Sequence, residues 1–312
     1  MSTHPVAHLD ARALKLTAVF TVVAIGAFLG IRKLPLSSGS LHYTDFHAGG
    51  KGFLEFCEPG SPQFAPVDAV RSPVRLAIAT EGEPRAGGMV GARLTLTTSS
   101  GAPVTAADLL VVHTEKLHLL VIDASLDDYH HLHPAPTAVP GEYAFAFNPR
   151  SAGRYRVFAD FTPRATGRAL YAGAELMVAG GGGGEDKAGT KPVLKTWHEV
   201  EVGALAFALA ASREKLRINE ASDLTLRVAR KDGAPLVLEE IMGARAHLVA
   251  FDEACTGFAH LHPKETVPAE DGDAQQMGFT LQLADPGYYR LWAQVKVGSR
   301  EVFAPFGLMV EP

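Results

Sequence analysis

Cysteine is scarce in this chain. Two in 312 residues, Cys57 and Cys255, are too few for a disulfide framework. Clustered lysine and arginine are missing as well. With 29 basic against 34 acidic residues the net charge is -5, and no long basic run supplies the footprint that a phosphate backbone requires, so nucleic acid drops out as a partner. The glycine runs carry no P-loop or dinucleotide pattern, and neither G-x-S-x-G nor H-E-x-x-H occurs. What remains is a globular composition, 47% hydrophobic and 20% charged. At roughly 100 to 200 residues per domain, the length accommodates two cores.

One long apolar run is present. Leu16 to Ile31 reads LTAVFTVVAIGAFLGI, sixteen residues without a charge, bracketed by Arg12 and Lys15 before and Arg32 and Lys33 after. As a helix it covers about 24 Å, a little under the roughly 30 Å hydrocarbon core, and snorkelling of the basic flanks makes up the difference. No small-residue cleavage site of the A-x-A kind follows it, which argues against a signal peptide. Residues 1–35 therefore read as an uncleaved transmembrane anchor, with the inner membrane engaged through residues 16–31. The flanking charges nearly balance and are tipped only by the N-terminal amine, toward a cytoplasmic N-terminus and a periplasmic body in a bacterium.

Residues 36–73 are rich in Gly, Ser and Pro and read as an irregular membrane-proximal segment. From Val74 short alternating runs begin, including VRLAIAT, ARLTLTTS, YAFAFN and RYRVFADF, with β-branched and aromatic residues at period two, as in half-buried antiparallel strands. These place a first β-sandwich at 74–179. A glycine-rich linker follows at 180–191, and a second sandwich occupies 192–312. The second is an internal repeat of the first. A shift of 129 residues lays His113–Pro134 on Met242–Pro263 with seven identities, among them His118/His247, Asp123/Asp252, His131/His260 and His133/His262. Further on, Gly153-x-Tyr155-Arg156-x-x-Ala159 matches Gly287-x-Tyr289-Arg290-x-x-Ala293. Six or seven strands in each half with no long helical period give an all-β fold class: two tandem immunoglobulin-like β-sandwich domains after an N-terminal transmembrane helix.

Each copy carries H-x12-H-x-H-P: His118, His131 and His133 in the first, His247, His260 and His262 in the second. Histidines at i and i+2 on a strand point to one side about 6 to 7 Å apart, and the third comes from an earlier strand brought back by a short loop. Three neutral imidazoles on one face suit a copper or zinc ion. A fourth ligand is absent from the motif. His113 is the candidate in the first copy and its aligned equivalent Met242 in the second, and a His-to-Met exchange favours copper over zinc. Asp123 and Asp252, five residues past the strand histidine, face away from it by parity and fit turn caps. The opposing reading is structural: imidazoles bonded to loop carbonyls, with proline ending an edge strand. His42, His47 and Cys57 form a weaker soft-donor group. Cys255 reads as a packed thiol, His130 as a solvent-facing extra, and Tyr129 and Phe258 as core residues.

At HTEKLHLLVIDASLDDYHHLHP followed by GRYRVFADFTP, the chain resembles a largely uncharacterised family of bacterial secreted or membrane-anchored β-sandwich proteins with a histidine-leucine strand and an H-x-H-P loop. The second copy departs from that pattern, with Gln294 where the first has Asp160. The resemblance implies heavy-metal, particularly copper, handling. In fold type alone the chain is also similar to periplasmic copper carriers of the CopC-like group, without their amino-terminal histidine or Met-rich loop. Three functions stay open. The first is a membrane-anchored periplasmic metal carrier or buffer serving an envelope metal-handling membrane protein. The others are a non-catalytic structural or interaction module, and, least favoured, an open three-histidine metal enzyme, for which no general base is evident.

Overall fold

The computed structural model describes residues 11–31, 41, 64–180, 185–186, 192–264, 266–268 and 274–312. His42, His47 and Cys57 lie outside them. The apolar run forms helix α1, Ala11–Ile31, of 21 residues, which belongs to a unit separate from the strands. Its uncharged stretch stops short of the roughly 20 residues a bilayer calls for, and among the described residues no helix is long and apolar enough to cross a membrane.

Period-two patterning yields two β-sandwiches. In the first, β1 (Val74–Thr80), β2 (Val90–Thr98), β5 (Ala135–Pro136) and β6 (Glu142–Phe147) make a sheet in the order β1-β2-β6-β5. It faces a sheet built from β3 (Leu117–Asp123), β4 (Tyr129–Leu132), β7 (Ser151–Phe161) and β8 (Leu170–Val178), ordered β4-β3-β7-β8. Leu94, Leu96, Tyr143 and Phe145 from one sheet pack on Leu119, Val121, Val157 and Leu176 from the other. Within the glycine-rich connection, β9 (Glu185–Asp186) pairs with the start of β7.

The second sandwich repeats the plan. One sheet runs β10-β11-β13-β17-β16, from β10 (Glu199–Val202), β11 (Leu205–Ala211), β13 (Ser222–Arg230), β16 (Thr266–Pro268) and β17 (Gln275–Leu281). The other runs β12-β19-β18-β14-β15, from β12 (Leu216–Arg217), β14 (Ala246–Asp252), β15 (Phe258–Leu261), β18 (Gly287–Val297) and β19 (Arg300–Glu311). Both sandwiches carry the tyrosine corner of immunoglobulin-like folds, a tyrosine hydroxyl held to backbone a few residues upstream. Tyr155 Oη accepts from Ser151 N–H at 3.2 Å, and Tyr289 Oη donates to Asp285 O at 2.9 Å.

Alternation predicts one buried and one wet face for each strand, and the central strands break that expectation. All seven residues of β3 are buried, as are six of the seven in β14. The reason is a third core. Leu120, Ile122, Tyr129 and Phe158 of the first repeat pack against Val249, Phe251, Phe258, Tyr288 and Trp292 of the second, so the two inner sheets lie back to back. Trp292 Nε1–H donates across the boundary to Leu126 O at 3.2 Å. Tyr129 and Phe258 thus belong to the seam between repeats rather than to each sandwich's own core, and Cys255 is buried there too. The segment before β1 also departs from a wholly irregular reading. Ala65 exchanges backbone hydrogen bonds with Phe258 at 2.7 and 3.2 Å, while Asp68 forms an ion pair with Arg156, so this strap joins the two repeats.

Asp128 anchors the loop between β3 and β4. Its buried carboxylate accepts from Arg150 N–H and Nε–H at 2.7 Å each and from Tyr155 Oη–H at 2.5 Å. His130 Nε2 lies 3.0 Å away and its ring packs on Phe147, so His130 is half-buried and not the solvent-facing extra its sequence position suggests. Burial opposes the charge on Asp128, but the contacts to His130, Tyr155 and Arg150 outweigh it and hold the carboxyl well below the usual range. A depressed folded pKa stabilises above the unfolded value near 3.9, and that stabilisation drains away as pH falls below it. Asp128→Asn is expected to cost about 2 kcal/mol at neutral pH in chemical denaturation. It should also flatten the loss of stability below about pH 4.

Candidate metal centre

The histidines sit on the faces that meet between the repeats. On β3, Leu119 and Val121 enter the first sandwich's core, so His118 shares the opposite face with Leu120 and Ile122. On β14, His247 shares the seam-facing side with Val249 and Phe251. The short strands β4 and β15 obey the same parity, pairing His131 with Tyr129 and His260 with Phe258. Each triad gathers its ring nitrogens closely. The ligand atoms of His118, His131 and His133 lie within 4.8 Å of one another, and so do those of His247, His260 and His262. Five of these six rings are buried or half-buried; His133 opens to solvent.

The hydrogen bonds of the outward nitrogens decide which atoms face inward. His118 Nε2 meets Val112 O at 3.1 Å, an acceptor only, so this nitrogen carries the proton. His131 Nδ1 meets Gln294 Oε1 at 2.8 Å, and the orientation of that amide is set by its NH2, which donates to Glu301 Oε2 at 2.9 Å. His131 therefore also protonates outward. The two remaining nitrogens, His118 Nδ1 and His131 Nε2, face each other at 3.3 Å with a lone pair each. In the second triad His260 Nδ1–H donates to Asp160 Oδ2 at 3.2 Å, leaving Nε2 inward. Among the described residues, His260 Nε2, His262 Nε2 and both ring nitrogens of His247 are buried without a hydrogen-bond partner. Desolvation lowers the pKa of all six, and neighbouring histidines push His118, His131, His247, His260 and His262 further down, against an opposing pull from Asp160 on His118. They are neutral, which is the ligand form of imidazole.

Each triad takes one outer partner from the other repeat. Gln294 orients His131 and Asp160 orients His260, across the seam in both cases. Asp160 itself is pushed up to about 6 by burial. The sequence shows these two positions as equivalents but gives no sign that they serve the opposite copy. The same crossing corrects the expected fourth ligands. Met242 Sδ lies 2.8 Å from His133 Nε2, beside the first triad, and the His113 ring stacks on His262 of the second, centroids 3.5 Å apart. Neither stands by its own copy's H-x-H pair. Asp123 and Asp252, in contrast, cap the turns that follow them: Asp123 Oδ1 accepts from Asp127 and Asp128 N–H at 2.9 Å, and Asp252 Oδ1 from Thr256 N–H at 2.8 Å.

Fold and site together define a tandem immunoglobulin-like β-sandwich protein whose paired histidine triads could each hold a metal ion. The chain belongs to the family described as domain of unknown function DUF8832, whose model matches residues 72–178 and again 201–312. The two matched regions coincide with the two repeats. No curated protein matches the sequence. Among solved structures, the chain is similar at 12% identity to an ICAM-5 D1–D4 ectodomain fragment, covering 75% of this chain and 53% of that one, TM-score 0.23. It is likewise similar at 12% identity to the native conformation of E. coli alpha-2-macroglobulin, covering 76% of this chain and 17% of that one, TM-score 0.23. The chain thus spans about half or less of the length of these structures.

The crossing is built by two tight turns. Val112 and Glu115 exchange backbone hydrogen bonds at 2.8 and 3.1 Å, as do Ile241 and Ala244 at 2.7 and 3.1 Å. The central residues are left-handed, His113 and Thr114 at φ 50° and 69°, Met242 and Gly243 at 51° and 75°, the mark of a type I′ turn. A Cβ added to Gly243 would stand 3.8 Å from Thr114 Cγ2, so the turn tips meet. A β-branched residue at positive φ is strained. Thr114→Gly is expected to raise stability by about 0.5 to 1 kcal/mol, the relief of strain less the added chain entropy, read as a higher thermal midpoint.

Proposed function

We propose that this protein is a copper-binding carrier or buffer of the bacterial envelope. One observation carries the reading: His118 Nδ1 and His131 Nε2 face each other at 3.3 Å while their opposite nitrogens are committed as donors. Two lone pairs at that distance repel, and a shared cation turns the repulsion into two bonds. Imidazole donors suit copper and zinc, and the adjoining thioether favours copper. Solvent exposure of His133 supports exchange with a donor or acceptor. A non-catalytic role fits the engagement of Asp160 with His260, which occupies a carboxylate otherwise suited to acid-base work.

The tether of this reading is α1, which exposes Val19, Phe20, Val22, Val23, Ile25 and Leu29. With basic flanks snorkelling, its sixteen apolar residues would engage the inner membrane, leaving the sandwiches periplasmic and within reach of an envelope metal-handling membrane protein. Deletion of residues 11–31 should move the protein from the alkali-resistant membrane fraction to the soluble fraction; a deletion variant that stays with the membrane contradicts the tether.

The binding test uses the full chain in detergent, titrated with Cu(I), Cu(II) and Zn(II) against competing chelators. Copper should bind with a defined stoichiometry, and His131→Ala combined with His133→Ala should weaken it by about 100-fold or more, beyond what loss of an orienting group alone costs. Copper binding left unchanged by the double substitution overturns the reading, as does a wild-type protein that takes no copper.

A further inference from the structure

The two triads are not separate sites. Ring centroids of His131 and His260, from different repeats, are 5.1 Å apart, and those of His118 and His260 5.5 Å. Within the first triad the corresponding separations are 5.5, 5.2 and 5.1 Å. The boundary between repeats therefore leaves no gap in the cluster, and two ions held by the triads would be close neighbours in one low-dielectric cavity.

Resting on the copper reading above, we infer that this is a single two-copper centre with unlike halves: His118, His131 and His133 joined by the thioether of Met242 from the other repeat hold Cu(I), and His247, His260 and His262 form an all-imidazole half. Three observations bear on it. Met242 Sδ and His133 Nε2 lie 2.8 Å apart although they come from opposite repeats, and Met242 is itself a buried residue on a left-handed turn that delivers its side chain there. A thioether is a soft donor that selects the cuprous over the cupric or zinc ion. The second half has His113 at the equivalent place, laid flat on His262 and not sulfur.

Charge points the same way. Two divalent ions would bring four positive charges into a centre whose adjoining carboxylate is Asp160, with Glu301 one hydrogen bond further out through Gln294. Like charges a few Å apart and shielded from water are costly, so a centre with this little negative charge is better matched to monovalent ions. Asp160 touches a ring of the second half, and Gln294 holds the same place for the first. Asp160 is also the cross-strand neighbour of His118 in the first half, so this one carboxylate serves both halves of the centre.

The test compares the full chain with its Met242→Leu variant. Loaded with Cu(I), the wild type should take two ions, and copper-edge X-ray absorption should show a sulfur neighbour in addition to imidazole nitrogen. Met242→Leu should remove the sulfur signal and weaken one of the two Cu(I) ions by at least about tenfold, the lower end of what losing even an orienting group costs. The other Cu(I) and the binding of Zn(II) should be unaltered. Two bound Cu(I) ions with no sulfur in the wild-type spectrum would overturn the unlike-halves inference while leaving copper binding intact, and this arm does not depend on the variant folding. One ion per chain would overturn the two-ion centre. A wild type that binds no copper removes the functional reading beneath it.

Discussion

Everything distinctive about this molecule follows from the packing of two inner sheets against each other. Leu120, Ile122 and Phe158 on one side and Val249, Phe251 and Trp292 on the other turn what would be the wet face of each sandwich into a core. At roughly 25 cal/mol per Å2 of apolar surface removed from water, aromatic side chains of this size dominate such a seam. The histidines stand on the same strands with the same parity, so docking the hydrophobic part of the faces carries the imidazoles together. Were the sheets apart, both triads would face water, and their inward nitrogens would be satisfied by it.

Duplication within one chain matters to the chemistry. Two identical copies meeting about a twofold axis make an isologous contact, in which every ligand on one side has its twin on the other. Fusing the copies frees each side to diverge. The sites of divergence that count here are His113 against Met242 and Asp160 against Gln294, and all four act across the seam. A symmetric dimer of a single sandwich would have to place the same donor at both ends of the cluster. The tandem chain need not, and its two halves carry different donors.

Much of this was readable from residue order and much was not, for reasons that can be traced. Alternation and turn residues mark the strands, and the repeated H-x-H pairs can be seen because a period of two keeps both rings on one side. Turn capping by Asp123 and Asp252 follows from the same parity. Parity says which face a residue takes but not what lies opposite, so Tyr129 and Phe258 read as core residues of each sandwich when they line the seam. His130 packs on Phe147 because the parity that sends His131 to the seam sends its neighbour inward. The exchange of His113 and Met242 was hidden for the same reason. An aligned position identifies an equivalent place in each copy, whereas the triad it reaches depends on how the copies dock.

The cluster also sets the sign of the coupling between metal and fold. Assembling six imidazoles at one seam strips them of water, and every pKa is driven down so that protonation gives no relief near neutrality. Buried nitrogens without partners, such as those of His247, then cost the folded protein about 1 to 3 kcal/mol each. Outward hydrogen bonds to Val112, Gln294 and Asp160 prevent the rings from turning to escape. A cation that bonded the inward lone pairs would remove this penalty, and in the docked arrangement it would also find the orienting partners Gln294 and Asp160 and the Met242 thioether supplied from the opposite repeat. Metal binding at this seam would therefore be coupled to its closure, and occupancy would stabilise the fold to the extent that it favoured the docked over the undocked state.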